Sequence, residues 1–411
     1  MAQDFSGQNL QGRSFKGRTD LMGANFSYAD IRGADFTNAI LTGANFSYAQ
    51  AGVQSYWATV LLIISLGLST LSGFVSAFAG AYTGSALISQ DKHEVLAGGF
   101  ILITLVLFFT ITIRQGLLKA LGVGVVAVGL TAIAAVVAGE PTLAVTIITV
   151  GLAVVAAAIA MAVTAAVTTA GALAAAGAVT IVAAGAGVVA AAGAVVAITG
   201  EATAAAAVAT IAVVVAMAVA GLSAYVSWQA LAGNKKYGLI RLISVTLASM
   251  GGTSFRKADL TDADFTQAML KSTDFREANL RRTCWFQGKK LDLARVGRTY
   301  LDNSQVRQLV VTGEGEESNF DGFSLRGINL RGANLVAASL VGTDLRDANL
   351  QSANLSRANL QHTKLDGTDL TGACLAGASI EEWGITSETK LDRVQRQYIF
   401  RLLAKKKEPR S

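Results

Sequence analysis

Residues 320–380 read FDGFSLRGINLRGANLVAASLVGTDLRDANLQSANLSRANLQHTKLDGTDLTGACLAGASI. Every fifth residue is large and apolar, from Phe320 through Leu325, Leu330, Leu335, Leu340, Leu345, Leu350, Leu355, Leu360, Leu365, Leu370 and Leu375 to Ile380. Two residues before most of these stands something small, as at Ala333, Ala338, Thr343, Ala348, Ala353, Ala358, Thr363, Thr368, Ala373 and Ala378. The position between is usually Asn or Asp, as at Asn334, Asp344, Asn349, Asn354, Asn359 and Asp369. A period of five matches neither the 3.6 of a helix nor the 2 of a strand. A fixed period means a repeat architecture, in which each unit buries its apolar side chain only by stacking on its neighbours.

The same period occurs twice more. Near the N-terminus it runs Phe5, Leu10, Phe15, slips by one residue across Arg18–Asp20, and continues Leu21, Phe26, Ile31, Phe36, Leu41, Phe46. It resumes as Phe255, Leu260, Phe265, Leu270, Phe275, Leu280, Trp285. The pattern divides the chain into repeats at 1–50, 253–290 and 320–380, an interruption at 291–319, and a cap with a basic tail at 381–411. Within the interruption, Ser304–Val311 reads as a short helix ended by Gly313–Gly315. A cap is expected because the last turn of a repeat stack otherwise exposes unpaired backbone.

This pattern resembles the pentapeptide-repeat family, whose unit is Ala-(Asp/Asn)-(Leu/Phe)-x-x. The resemblance implies a right-handed quadrilateral β-helix with about four pentapeptides per coil, successive coils stacking at the strand spacing of roughly 4.8 Å. Gly251-Gly252-Thr253-Ser254-Phe255, Arg282-Thr283-Cys284-Trp285, the stretch Lys290–Gly297, Val310–Gly315 and Trp383-Gly384-Ile385-Thr386 narrow the resemblance to membrane-anchored pentapeptide-repeat proteins of cyanobacteria.

Between the repeats the chain changes character. The chain carries 52% hydrophobic residues over 411 positions, yet charged residues are almost absent from 55–232. Apolar lengths at about 56–88, 95–118, 120–138, 142–168, 171–198 and 202–232 each approach the ~20 residues that a bilayer span requires. The last four are built of Ala, Val and Gly, which let helices pack closely. Asp91 with Glu94, Glu140 and Glu201 fall at alternate turns, and Arg114 with Lys119 and Lys235 with Lys236 at others. Basic turns mark the cytoplasmic side. The sequence thus predicts a transmembrane helical bundle of about six spans over 55–232, a membrane-proximal linker at 233–252, and both termini in the cytoplasm. The repeats break off before the first span and resume after the last, so the bundle reads as an insertion into one β-helix, with the N-terminal coils stacked on the coil that begins near Phe255.

Little in the sequence suggests chemistry. The two histidines, His93 and His362, sit in polar surroundings, and Cys284 and Cys374 form neither a disulfide framework nor a metal spacing. No phosphate-binding glycine loop follows a strand, and no cofactor or metal is expected. The Asp and Asn residues occupy a repeat slot where a short polar side chain can bond local backbone. Glu140 and Glu201 open similar Ala/Val-rich segments. They fit either a favourable place at a helix N-terminus or an ion site between repeated helix pairs. Arg281, Arg282, Lys289, Lys290, Arg295 and Arg298 flank Trp285 as a basic surface, suited to solvent or to anionic lipid and poorly suited to nucleic acid.

These features predict a non-enzymatic, membrane-anchored scaffold in the plasma or thylakoid membrane, presenting a cytoplasmic β-helix to an unidentified protein partner, with a homo-oligomer as a further option. The alternative is an ion or small-solute transporter or channel carrying the β-helix as an appendage.

Overall fold

In a computed structural model of the chain, residues 2–54 and 251–395 are described throughout. Of the intervening chain, the helix α1 (Lys92–Gln115), the 3-10 turn Lys235–Tyr237 and scattered residues are described. The chain divides into two compact units, Met1–Gln54 with Gly251–Ser411, and Ser55–Met250.

The first unit is a stack of coils, and each five-residue repeat makes one side of a coil. The apolar centre points inward, and Leu335, Leu340, Leu345, Leu350, Leu355 and Leu360 have no measurable exposure. Removing such a side chain from water contributes about 1.5–3 kcal/mol. A tight turn follows each centre, as in the Ala348 N–H to Leu345 C=O bond of 3.0 Å. The second residue after the centre sits at the corner in the left-handed region, for example Asp347 at φ 61° and Arg357 at φ 60°. The residue before the centre bonds to the preceding coil through both its N–H and its C=O. Leu335 N–H donates to Asn354 C=O at 2.8 Å, and Asn354 N–H donates to Ala333 C=O at 2.9 Å. Its side chain also accepts locally, as Asp264 Oδ1 does from Thr266 N–H at 2.8 Å.

This geometry corrects the expected β-helix. No continuous β-strand forms among the described residues; coils join through isolated parallel bridges such as Asn334↔Asn354 and Asn354↔Cys374. The physical reason is the corner. A left-handed turn in every repeat leaves one extended residue per side to pair, too few for a strand.

The membrane assignment is corrected as well. Among the described residues no helix is long and apolar enough to cross a membrane. Of the predicted spans, only that at 95–118 is described as a helix for most of its length; those at 56–88, 120–138, 142–168, 171–198 and 202–232 lie almost wholly outside the described residues. The six-span bundle, the bilayer as a partner, the plasma or thylakoid localisation and the membrane-anchored cyanobacterial type therefore lose their support. So do the membrane-anchored scaffold and the transporter alternative. Glu140 and Glu201 lie outside the described residues.

The two parts of the first unit meet without a break in the pairing. Asp35 bridges Ser254, Ile40 bridges Asp259, Asn45 bridges Asp264 and Gln50 bridges Met269. Inside, Phe36 stacks on Phe255 and Phe46 on Phe265, each pair with centroids 4.9 Å apart. The chain leaves this stack through Gly52, at φ 134°, where a Cβ would come within 2.9 Å of the Lys271 carbonyl oxygen.

A second detour follows Trp285. Helix α2 (Ser304–Thr312) starts at Asn303, whose side chain accepts from the Gln305 N–H at 2.9 Å, and ends at Gly313 in the left-handed region. Its buried face is Val306, Leu309 and Val310. Gly315 stands where the period calls for a large centre. A Cβ there would lie 2.9 Å from Leu309 Cδ1 and 2.8 Å from Leu335 Cδ2, so α2 supplies the apolar filling that this repeat lacks.

In the second unit, the turn Lys235–Tyr237 holds the end of α1. Tyr237 is buried and donates its hydroxyl to Thr112 C=O at 3.1 Å, and Lys236 Nζ donates to Arg114 C=O at 3.1 Å. These contacts satisfy carbonyls that a helix C-terminus leaves free.

Candidate functional site

The small slot two residues before each centre takes Ala or Thr for different reasons. Thr283, Thr343, Thr363 and Thr368 are buried, and each donates its hydroxyl to a carbonyl of the preceding coil at 2.7–2.9 Å. Thr273 occupies the same slot, but its Oγ1 and the neighbouring Ser272 Oγ are buried with no partner among the described residues. The carbonyl that Thr273 would reach belongs to the stretch where the chain departs at Ala51–Gly52. These threonines are structural.

The basic surface seen in the sequence separates into distinct roles. Arg282 forms a two-pronged pair with Asp262, with bonds of 2.7 Å to each carboxylate oxygen. Arg295 bridges Asp274 through its backbone and brings Nη1 to 3.8 Å from the Asp274 carboxylate. Lys289 continues the column of Met269, Lys290 holds a left-handed corner at φ 59°, and Arg298 is exposed. Each of these residues makes its own separate contacts.

Arg281 is the exception, and the residues it joins carry no signal in the repeat pattern. Its Nη2 donates to Asp347 Oδ1 at 2.8 Å, while Arg326 Nε and Nη2 donate to Asp347 Oδ2 at 3.1 and 3.0 Å. These side chains line a pocket of about 370 Å³ with Ala278, Asn279, Leu280, Thr299, Tyr300 and Gly327. The pocket sits where the chain detours after Trp285. Tyr300 closes its inner end: the hydroxyl accepts from Trp285 Nε1 at 2.9 Å and donates to Leu280 C=O at 3.1 Å. Burial pushes the Tyr300 phenol well above its ordinary value, so it stays a neutral donor.

A second surface feature lies at a corner of the N-terminal coils. Tyr28 and Tyr48 occupy left-handed corners at φ 59° and 61°, and their rings stack 4.6 Å apart. They remain 64% and 41% exposed, so burial does not account for them. Below them in the same column, Gln267 Nε2 donates to Gln287 Oε1 at 2.8 Å. Gly7 stands above, leaving the outer face of Tyr28 uncovered by a side chain. The sequence does hold a signal for this pair: Ala24–Ala29 and Ala44–Ala49 are the same hexapeptide, ANFSYA, placed one coil apart.

Among the described residues no group of His, Cys, Asp or Glu is arranged to hold a metal ion. Cys284 and Cys374 are free, and burial pushes the Cys284 thiol up, away from a reactive thiolate.

Four stretches, 19–51, 248–284, 316–351 and 343–381, match the family profile described as pentapeptide repeats. No curated protein matches the chain. Among solved structures, a pentapeptide repeat protein from the Arabidopsis thaliana thylakoid lumen is 29% identical over 18% of this chain and 64% of its own, with a TM-score of 0.15. A pentapeptide repeat protein from Nostoc Pcc 7120 is 25% identical over 20% and 62%, with a TM-score of 0.12. One from the cyanobacterium Cyanothece 51142 is 24% identical over 34% and 63%, with a TM-score of 0.10. The chain spans a little under two thirds of the length of each of these proteins, and scores this low carry no argument about shape. The match to the pentapeptide-repeat profile thus covers 19–51, 248–284 and 316–381.

Proposed function

We propose that the repeat stack is a binding module that engages another protein along the corner carrying Tyr28 and Tyr48. The single observation behind this reading is the stacked, exposed pair of tyrosines in left-handed backbone. A bulky residue at positive φ costs of order 1–3 kcal/mol, and such strain concentrates at functional sites. Some neighbouring corners avoid the cost with glycine, as at Gly23, Gly33 and Gly43, while Asn38 and Lys257 share the left-handed backbone with smaller or flexible polar side chains. Tyrosine is enriched at protein interfaces because one rigid side chain offers apolar area and a hydroxyl together. The partner surface that fits is apolar with hydrogen-bonding groups at its edge, the Gln267–Gln287 amides extending the contact. Because the stacked coils are already ordered, association costs little conformational entropy.

The paired substitution Tyr28→Gly, Tyr48→Gly tests this reading without endangering the fold, since glycine accepts the corner conformation. The expected result is an unchanged or raised melting temperature with loss of a stoichiometric protein that co-purifies with the unaltered chain. An identical set of co-purifying proteins would remove the proposal.

A further inference from the structure

The pocket at the second detour is independent of the tyrosine corner. We propose that it binds a small monocarboxylate with an apolar body, its carboxylate held between the guanidinium groups of Arg281 and Arg326.

Three observations lead there. The first is charge. Arg281 and Arg326 face the pocket with one carboxylate between them, Asp347, which leaves a single net positive charge. One negative charge neutralises the site, whereas a second would be left uncompensated. The second is the supply of donors. Each guanidinium has five N–H groups; Arg281 gives one bond to Asp347 and Arg326 gives two, with no other acceptor for either fork among the described residues. Planar forks match the oxygens of a carboxylate, and Asp347 already displays that match by bridging both. The third is the wall. Ala278, Leu280 and Tyr300 add apolar surface to the lining, and the volume of about 370 Å³ is that of a small-molecule site.

The pocket is also fixed in place. Asp347 sits at a left-handed corner with its own N–H bonded to Asp366 C=O at 2.9 Å, and only 20% of its side chain is exposed. Gly327 permits the close pass of Arg281, whose Cγ would lie 3.0 Å from a Cβ at that position. The Tyr300 hydroxyl is consumed by Trp285 and Leu280, so the phenol shapes the wall and does not compete for the ligand. Selectivity then rests on the two arginines, and binding weakens as salt screens their exposed heads.

Calorimetric titration of the full chain with benzoate tests the assignment, with benzamide as the neutral probe of the same shape and phenyl phosphate as the dianion. Benzoate is expected to bind saturably, and benzamide at least about tenfold more weakly, the equivalent of about 1.4 kcal/mol. R326Q should lower benzoate affinity by about tenfold, because it removes one charged fork. R331Q, on an adjacent side of the coil, should leave it unchanged. Equal binding of benzoate and benzamide, tighter binding of phenyl phosphate, unaltered affinity in R326Q, or no saturable benzoate binding would each overturn the proposal.

Discussion

The coils that flank the long excursion at 55–250 and the coils beyond α2 are built on the same repeat but filled differently. Before α2 the interior alternates Phe columns with Leu and Ile. Phe5, Phe26, Phe46, Phe265 and Trp285 stack in one column at 4.8–5.0 Å, and Phe15, Phe36, Phe255 and Phe275 in another at 4.8–5.3 Å. The two columns meet edge to face, as Phe46 meets Phe255 at 5.2 Å. After α2, the centres from Leu325 to Leu375 are all Leu.

Chain entropy sets the seam apart from the Leu-filled coils. A Leu-filled coil pairs with a neighbour about 20 residues away, whereas Thr37 meets Ser254 across 217 residues. Closing the longer loop costs about 2 kcal/mol more. Three aromatic pairs span that seam, Phe36–Phe255, Phe46–Phe265 and Phe46–Phe255. Each is worth roughly 0.5–1.5 kcal/mol beyond the area it buries, enough to offset the extra cost. Aromatic filling therefore spans the seam between distant chain segments and continues into the locally paired coils on either side of it.

Substitutions can break this contrast. The largest effect is expected for Phe255→Ala, which removes a ring touching four others: about 3–5 kcal/mol lost, with amide exchange rising on both sides of the seam, over 34–46 and 253–275. Exchange confined to 253–275 would mean that the seam does not depend on the ring. Leu350→Ala should cost about 2–4 kcal/mol and act locally, leaving the aromatic coils protected. Loss of protection at Phe36 in that variant would show the two fillings to be one cooperative block.

Thr343→Val and Thr273→Val compare one slot in the two regions. The first removes the bond to Phe320 C=O at 2.8 Å and should destabilise by about 1 kcal/mol. The second removes a hydroxyl without a partner and should be neutral or stabilising in denaturant titration. Equal losses would contradict the assigned hydrogen bonds.

The smallest effect concerns acid. The Arg346 guanidinium holds the Asp344 carboxyl below its ordinary value. A folded pKa below the unfolded value of about 3.9 contributes stability above that pH, lost as the pH falls through the folded value. Asp344→Asn should therefore lie below the unaltered chain in stability at neutral pH, with the gap closing below about pH 4. A gap independent of pH would remove the ion pair as its cause.

Much of the interior was legible because burial constrains it. The fifth-residue centres, the Ala/Thr slot and the Asn/Asp slot each answer to the narrow space between coils, and the family profile matches the same stretches. The outward positions answer to no such rule. Arg281 and Asp347 lie 66 residues apart, and nothing in the period marks them as partners. Arg281 was visible as a basic residue beside Trp285, but its pocket depends on how the chain resumes after α2. Strands were expected because coil spacing suggests a sheet; the left-handed corners limit the pairing to single bridges. The membrane expectation rests on composition over 55–232, most of which lies outside the described residues.

The continuity of the stack across the long excursion is the central claim, and a disulfide trap tests it most directly. Thr37 and Ser254 bring their hydroxyl oxygens within 2.9 Å of one another. In a chain carrying Cys284→Ser and Cys374→Ser, the pair Thr37→Cys and Ser254→Cys should crosslink under mild oxidation, and the fragments should stay joined after proteolysis between residues 55 and 250. Crosslinking no greater than that of a control pair, Thr37→Cys with Ser379→Cys, would contradict a stack in which the N-terminal coils rest on the coil beginning at Phe255.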